Sequence, residues 1–286
     1  MFIIVGIIIV FLSIAIGFAM VSGPFGTLFQ PSELVVIGGA AIGALVTANP
    51  LKMLMLITKQ VPAALKGSPY NKATYAELLR MQYEVYVNAK KGGLLSLEED
   101  VNNPAASSII SKYPKFLANH HATEFFCDAM KMLVNGAAEP EELELALEAE
   151  LETHHEESAM VPAMLTRAAD SLPGLGIVAA VLGIVVTMQH IDGPPEEIGH
   201  HVAAALVGTF LGLLLSYGMV GPIATNLENL AHDEAKYFGC IKAGLISFAN
   251  GAAPSTAVEF ARKAVYSFDR PSTAELEPQL REIKPR

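Results

Sequence analysis

Ionisable residues carry protons across membranes, and in this sequence they avoid the long apolar stretches. Glu33, Asp170, His190 and Asp192 lie at the edges of such stretches or in the turns beside them, and none falls inside. An ion-conducting site within a membrane nearly always uses an ionisable side chain that faces the protein interior. The sequence therefore predicts that this chain cannot carry protons alone. Either it does not conduct, or a partner chain supplies the acid and this chain forms the wall around it.

Small residues and two prolines are the features that could shape such a wall. Glycines recur in the last two apolar stretches, at Gly176, Gly183, Gly208 and Gly212. Such stripes let helix backbones approach closely, either within one chain or against a helix of another chain. Pro173 and Pro222 each free a backbone carbonyl and favour a kink, although Pro173 could simply begin a helix. The Thr209 hydroxyl either bonds its own helix or lines a polar path.

Four apolar stretches are candidates for membrane helices, because a bilayer core about 30 Å thick needs roughly 20 apolar helical residues. They cover residues 2–20, 34–48, 172–189 and 202–224. Helices in the core of a soluble protein rarely run so far without a charged residue. The sequence therefore predicts an all-α integral membrane fold with four transmembrane helices and a helical cytoplasmic domain.

The basic residues predict the orientation of these helices. All 19 Lys and Arg residues lie within 52–167 and 236–286, whereas the short segments 22–32 and 190–201 contain none. Basic residues collect on the cytoplasmic side, so both termini are expected in the cytoplasm and both short segments outside. The predicted parts are a first membrane hairpin, a cytoplasmic helical domain, a second membrane hairpin and a cytoplasmic C-terminal helix with its tail, at 1–50, 51–168, 169–224 and 225–286.

Composition and motifs exclude several classes of function. The net charge of −10 gives no basic patch for nucleic acid. Cys127 and Cys240 stand far apart, without metal-ligand spacing, and are expected to be reduced structural thiols. No phosphate-binding loop, metalloprotease motif or nucleophile elbow occurs. We therefore expect no enzyme, no metal site and no cofactor.

The cytoplasmic part begins with an amphipathic helix. Apolar residues recur at helical spacing over residues 70–89, and Lys90, Lys91 and two glycines then end the helix. Ser96 and Glu99 follow with the spacing of a capping box, which predicts the start of a new helical turn.

Five stretches of the chain, in order, resemble the MotA group of the MotA/TolQ/ExbB proton channel family. They are QPSEL at 30–34, SLEED at 96–100, DSLPGLGIVAAV at 170–181, VGTFLG at 207–212 and VEFARK at 258–263. The resemblance spans essentially the whole chain. It implies a flagellar motor stator subunit of the bacterial inner membrane, which serves flagellar rotation and chemotaxis. A homopentamer would surround a dimer of the single-span partner MotB, which supplies the ion-binding aspartate and the cell-wall anchor.

The resemblance also implies roles for particular residues. Pro173 and Pro222 would couple ion binding to movement, while Thr209 and Ala180 would face the partner's aspartate. Sodium-driven relatives tend to carry Thr at the position of Ala180, and a methyl group cannot coordinate sodium, so H+ is favoured over Na+.

Charged and small residues complete the implied sites. Lys90, Lys91 and Glu98 would meet opposite charges on the rotor protein FliG. The glycines at 176, 183, 208 and 212 would pack against the partner. The alternative is an ExbB/TolQ-like energiser of a periplasmic partner, although the two short loops favour the MotA arrangement.

Overall fold

The computed structural model describes residues 2–283, which form thirteen α-helices and no strand. The helices are α1 (Phe2–Met20), α2 (Phe25–Leu28), α3 (Pro31–Ala48), α4 (Leu51–Ala64), α5 (Lys72–Gly92), α6 (Glu98–Asn102), α7 (Pro114–Leu117), α8 (His120–Val134), α9 (Pro140–Gln189), α10 (Pro195–Leu215), α11 (Gly221–Ala249), α12 (Pro254–Ala264) and α13 (Thr273–Arg281). Short 3-10 turns cover Leu94–Leu97 and Ile110–Lys112, and a π turn at Ser216–Val220 joins α10 to α11. The predicted all-α fold is confirmed.

Four helical segments are long and apolar enough to cross a membrane, judged by length and composition. They are Phe2–Met20, Phe25–Ala48, Pro140–Gln189 and Pro195–Ala249. Each contains one of the predicted apolar stretches. The fold is therefore that of a helical membrane protein, while the number of spans stays a prediction.

The chain divides into two compact units. A membrane unit contains the described residues up to Gly67 together with Ser158–Leu230, and a polar unit contains Ser68–Glu157 together with the described residues from Ala231 onward. The chain passes from one unit to the other three times, between α4 and α5, inside α9 and inside α11. The domain limits derived from the sequence remain a prediction, because they were drawn at the expected membrane surface rather than from contacts.

The membrane unit has two small apolar cores. In one, Ile37 of α3 packs against Leu172 and Ala179 of α9. The other combines residues of α4, α9 and α11, namely Ala64, Val161, Leu165, Ala224 and Leu227. Many other apolar side chains of this unit remain exposed, among them those of Phe2, Ile16 and Val35. A surface of this kind suits lipid or neighbouring membrane helices.

The polar unit has a larger core, to which α5, α8, α11 and α12 contribute. Tyr86 of α5 stacks on Phe248 of α11 with 4.4 Å between ring centroids, and Phe125 of α8 meets Phe238 of α11 at 5.2 Å. Tyr86 and Phe125 are almost completely buried. The helix α5, whose last turn carries Lys90 and Lys91, is therefore packed firmly against this core.

Helix caps explain two differences from the predicted elements. The Asn71 side chain accepts hydrogen bonds from the backbone N–H groups of Ala73 and Thr74, so α5 begins at Lys72. The predicted capping box at Ser96 is wrong, because the Ser96 hydroxyl donates to the Gly93 carbonyl oxygen at 2.7 Å and Leu97 occupies the cap. Ser96 thereby closes the 3-10 turn instead of opening α6.

Candidate functional site

The glycines of α9 and α10 lie where these two helices cross. A Cβ atom added to Gly176 would lie 2.9 Å from the Gly208 carbonyl oxygen, and one added to Gly212 would lie 2.6 Å from the Leu172 carbonyl oxygen. At Gly183 the same atom would lie 2.7 Å from the Ala205 side chain. Separations this short exclude any side chain. All four glycines therefore serve packing within one chain, and their contact with a partner helix stays a prediction.

A hydrogen bond between the two helices compensates for Pro173. In a regular helix the N–H of residue 173 would donate to the carbonyl of Ala169, and proline has no such N–H. The Ser216 hydroxyl donates to that carbonyl oxygen instead, at 2.7 Å, and Ser216 is 1% exposed. Pro173 lies inside α9 rather than at its start, so its role as a simple helix starter does not apply. The carbonyl group that Pro173 leaves without a helical donor is thereby bonded to Ser216, directly after α10.

Pro222 is accommodated by the π turn that also contains Ser216. The N–H of Gly221 donates to the Ser216 carbonyl oxygen, five residues back rather than four. Since Pro222 cannot donate to the carbonyl of Gly218, the wider turn places the irregularity just ahead of the proline. Ser216 thus bonds with its hydroxyl to Ala169, in the turn of α9 that precedes Pro173, and with its carbonyl to Gly221, just before Pro222. The two predicted coupling prolines are linked through this one residue.

Thr209 and Ala180, the predicted lining residues, flank the glycine contact. Both side chains are partly buried. Among residues 2–283 the Thr209 hydroxyl has no hydrogen-bond partner, whereas the Thr187 hydroxyl donates to the Gly183 carbonyl oxygen of its own helix at 2.9 Å. Thr209 therefore does not follow the ordinary pattern of a helix-bonded threonine.

Glu33 was missed as a site residue, because its position in the sequence suggested only a helix start. It lies in the first turn of α3, yet its side chain is 8% exposed. A Cβ added to Gly208 would lie 2.6 Å from Glu33 Oε2 and 3.1 Å from the Ala180 backbone nitrogen. The conclusion that the membrane helices offer no titratable group is therefore corrected. The first turn of α3 meets α9 and α10 well inside their apolar stretches.

The three predicted rotor-facing residues lie around one turn of the polar unit. Lys90 and Lys91 belong to the last turn of α5, and Glu98 begins α6 directly after the 3-10 turn. All three side chains are exposed. Lys90 Nζ donates to the Gly251 carbonyl oxygen at 3.3 Å and lies 5.9 Å from the centroid of the Phe248 ring. Lys90 therefore has a structural contact as well as an exposed charge.

The described residues offer no metal centre, since no group of three or more His, Cys, Asp or Glu among residues 2–283 could hold a metal ion. Both cysteines are free and buried. Burial raises the pKa of the Cys127 thiol to about 12, so this thiol is inert at neutral pH. Cys127 and Cys240 thus have the structural character that their spacing suggested.

Comparison with known proteins gives matches along nearly the whole chain. The family description "Motility protein A N-terminal" matches residues 4–93, and "MotA/TolQ/ExbB proton channel family" matches residues 117–239. Motility protein A of Salmonella typhimurium and that of Escherichia coli are each 39% identical over 284 residues, which cover 99% of this chain and 96% of theirs. Chemotaxis protein LafT of Vibrio parahaemolyticus is 33% identical, with 97% of each chain covered.

Solved structures agree with these sequence matches. The flagellar MotAB stator complex of Bacillus subtilis contains a chain with a TM-score of 0.74 and 26% identity, which covers 90% of this chain and 92% of that one. The MotAB structure of C. jejuni gives a TM-score of 0.79 over 94% of this chain and 98% of that one, and at 22% identity it supports the fold alone. The chain belongs to the motility protein A group of the MotA/TolQ/ExbB proton channel family.

Proposed function

We propose that this chain is a flagellar motor stator subunit that forms a proton channel with the partner MotB and converts ion motive force into torque on the rotor. The observation that carries the proposal is 39% identity to motility protein A over 99% of the chain. The glycine-lined crossing of α9 and α10, with its two linked prolines, supplies a structure that can respond to an ion. A channel subunit of this kind is not an enzyme and needs no cofactor.

Torque would begin at an acid that the partner brings to the wall of α9 and α10. Ala180 and Thr209 flank the crossing, and the Thr209 hydroxyl has no partner within the described part of the chain. Protonation of the partner's aspartate would change how its helix fits this wall. The coupling ion is proposed to be H+ rather than Na+, because the Ala180 side chain has no oxygen with which to coordinate sodium.

The two prolines provide a hinge for the resulting movement. The hydrogen bond from the Ser216 hydroxyl to the Ala169 carbonyl joins the turn of α9 that precedes Pro173 to the π turn ahead of Pro222. A change in the contact between α9 and α10 therefore acts on both irregular turns together. In the proposed complex, five copies of this chain surround a MotB dimer in the inner membrane. Both termini of each copy lie in the cytoplasm.

The charged corner formed by Lys90, Lys91 and Glu98 is the proposed contact with the rotor protein FliG. Exposed ion pairs contribute on the order of 1 kcal/mol or less, which suits contacts that form and break at each step. The packed core beneath α5 keeps the corner in place while its charges stay exposed. Single changes at this corner should therefore be tolerated better at low load than at high load.

Charge reversal on both surfaces tests the rotor contact. In cells with the cognate partner and rotor, Lys90→Glu and Glu98→Lys should each lower torque at high load, and reversal of an opposing rotor charge should restore it. Lys263→Glu is the matched control, because this lysine in α12 is exposed and its ammonium group makes a long 3.9 Å contact with Glu259. Unchanged torque in the single and double variants would contradict the assignment.

The alternative, an ExbB/TolQ-like energiser, is favoured by the shared proton-channel family description of residues 117–239. The two functions differ in the phenotype of a deletion. A stator deletion abolishes swimming and spares import across the outer membrane, whereas deletion of an energiser impairs import and spares swimming. Swimming speed measured against external sodium and against a protonophore then identifies the coupling ion.

A further inference from the structure

Glu33 brings a carboxyl group into the membrane unit that the proposed mechanism has not used. The residue is more than nine-tenths buried, and its Oε2 atom has no hydrogen-bond partner within residues 2–283. An ionised carboxyl is costly to bury without a partner, whereas a carboxyl that holds a proton is neutral. Buried acids within membrane proteins are rare and commonly belong to ion pathways.

The depth of this carboxyl follows from the helices it touches. Gly208 lies six residues inside the apolar stretch 202–224, a rise of about 9 Å, and Ala180 lies nine residues before the end of the stretch 172–189, about 14 Å. Glu33 Oε2 sits against Gly208, since a Cβ atom added to that glycine would lie 2.6 Å from it, and the same Cβ atom would lie 3.1 Å from the Ala180 backbone nitrogen. The acid therefore meets α9 and α10 well inside their apolar stretches, although it belongs to the first turn of its own helix.

No opposite charge on the surrounding helices fixes the protonation state of Glu33. It is the sole ionisable residue of α3, and α2 has none. On α9 the nearest ionisable residue to Ala180 is Asp170, about 15 Å away along the helix axis, and on α10 the nearest to Gly208 is His201, about 10 Å away. The N-terminal end of α3 favours the ionised carboxylate, whereas burial favours the neutral acid. This balance suits a group that takes up and releases a proton.

We propose that Glu33 is a proton-binding group of the ion path, placed at the wall beside Ala180 and Thr209. The carboxylate would accept a proton from water on the side of the two turns that lack Lys and Arg. It would then pass that proton to the partner's carboxylate and return to its ionised form. This inference rests on the proposed channel function and gives the path a second acid, contributed by this chain.

Proton flux in liposomes that contain the full chain with its single-span partner tests the role of Glu33. Glu33→Gln keeps the size of the side chain but cannot release a proton, so flux per complex should fall by about tenfold or more. Glu33→Asp keeps a carboxyl group and should retain most of the flux. Glu196→Gln is the matched control, because it removes an exposed acid near the start of α10 and should leave flux unchanged.

The outcomes separate this inference from the function on which it rests. A wild-type complex without proton flux would contradict the channel function, whereas equal flux in the wild type and Glu33→Gln would overturn the role of Glu33 alone. Flux that follows sodium rather than protons would also overturn it. Infrared spectra provide a second readout, since a protonated carboxyl band should disappear in Glu33→Gln. If that variant does not assemble, the band should still shift in Glu33→Asp, and an unshifted band would overturn the inference.

Discussion

Ser216 joins the two irregular turns of the membrane unit through one hydroxyl and one carbonyl group. The hydroxyl satisfies the carbonyl of Ala169 that Pro173 leaves free, and the carbonyl accepts the N–H of Gly221 in the π turn. A buried carbonyl without a donor is unfavourable, especially where water is scarce. A hydroxyl at this position therefore lets α9 retain its proline at little cost.

The Ser216→Ala variant should destabilise the membrane unit by about 0.6 to 1.7 kcal/mol, the usual worth of such a bond between membrane helices. Ser171→Ala is the matched control, because the Ser171 hydroxyl donates only within its own helix, to Ala168 at 2.7 Å. Thermal unfolding of the detergent-solubilised complex measures both variants. Equal unfolding midpoints for the two variants would show that the hydrogen bond between the helices adds no more stability than one within a helix.

The importance of some individual residues could be predicted from the sequence, whereas that of others could not. Pro173, Pro222 and the glycines are visible as residue types that bend or closely pack helices, so their importance could be predicted. The bond from Ser216 to Ala169 and the burial of Glu33 could not, because both depend on how far one helix is displaced along another. A search for acids in the first turn of an apolar helix would have singled out Glu33 as a candidate.

At the scale of helices, the crossing of α9 and α10 leaves no space for side chains at its centre. Gly212→Ala would place a methyl group 2.6 Å from the Leu172 carbonyl oxygen, so the helices must separate. The variant should lose about 1 to 3 kcal/mol of stability. Gly199→Ala, in the same helix with open space around it, should instead gain up to about 1 kcal/mol from helix propensity. Thermal unfolding measures both variants. If the two midpoints shift in the same direction, the close packing at Gly212 is contradicted.

The C-terminal helix α13 is held against α5 partly by a pH-dependent contact. The hydrogen bond from Lys72, at 2.7 Å, and those from Ser272 lower the pKa of the Glu275 carboxyl from its ordinary 4.5 to about 2. A lowered pKa stabilises the folded form above pH 4.5, and that stabilisation is lost as the pH falls towards 2. The protection of α13 amides, measured as their exchange rate relative to that of an unstructured peptide at the same pH, should therefore fall over this interval.

The Glu275→Gln variant tests the source of that loss of protection. It removes the titrating carboxyl while keeping a side chain of similar size, so the protection of α13 amides should be lower at pH 5 and should change less on acidification. An exchange profile that matches the wild type across the interval would show that another group governs α13.

The ends of the helices show which boundaries can be predicted from sequence patterns alone. The periodicity of α5 and its ending at Lys90, Lys91 and two glycines were predicted closely, because local capping and helix-dipole effects determine them. The capping box at Ser96 was wrong, since the hydroxyl closes the preceding turn instead. Two local hydrogen bonds compete for one side chain there, and the sequence alone does not show which one forms.

At the scale of the whole molecule, orientation in the membrane is the principal prediction. Asp192→Cys should react with a membrane-impermeant maleimide in intact cells, whereas Thr256→Cys should react only after permeabilisation. Both positions are exposed, and the two natural cysteines are buried and give little background. The reverse labelling pattern would contradict cytoplasmic termini.

The distribution of charge made the overall architecture predictable. Four apolar stretches without charges, with all the basic residues gathered in two of the segments outside them, indicate a helical membrane protein whatever its tertiary contacts. Contacts within the membrane unit follow from helix displacement and shape instead. The sequence therefore predicted the class of fold and the two glycine-rich apolar helices, but not the buried acid of α3 that lies against Gly208.

The π turn at Ser216–Val220 also restricts the number of residues that this segment can contain. A π turn contains one residue more than an α turn, so α11 is rotated about its axis by about 100° relative to an uninterrupted continuation of α10. With this rotation Ala224 and Leu227 reach the apolar cluster with Ala64, Val161 and Leu165. Loss of a single residue from the turn would aim a different set of side chains at that cluster. Within this segment, substitutions should consequently be accepted far more readily than insertions or deletions.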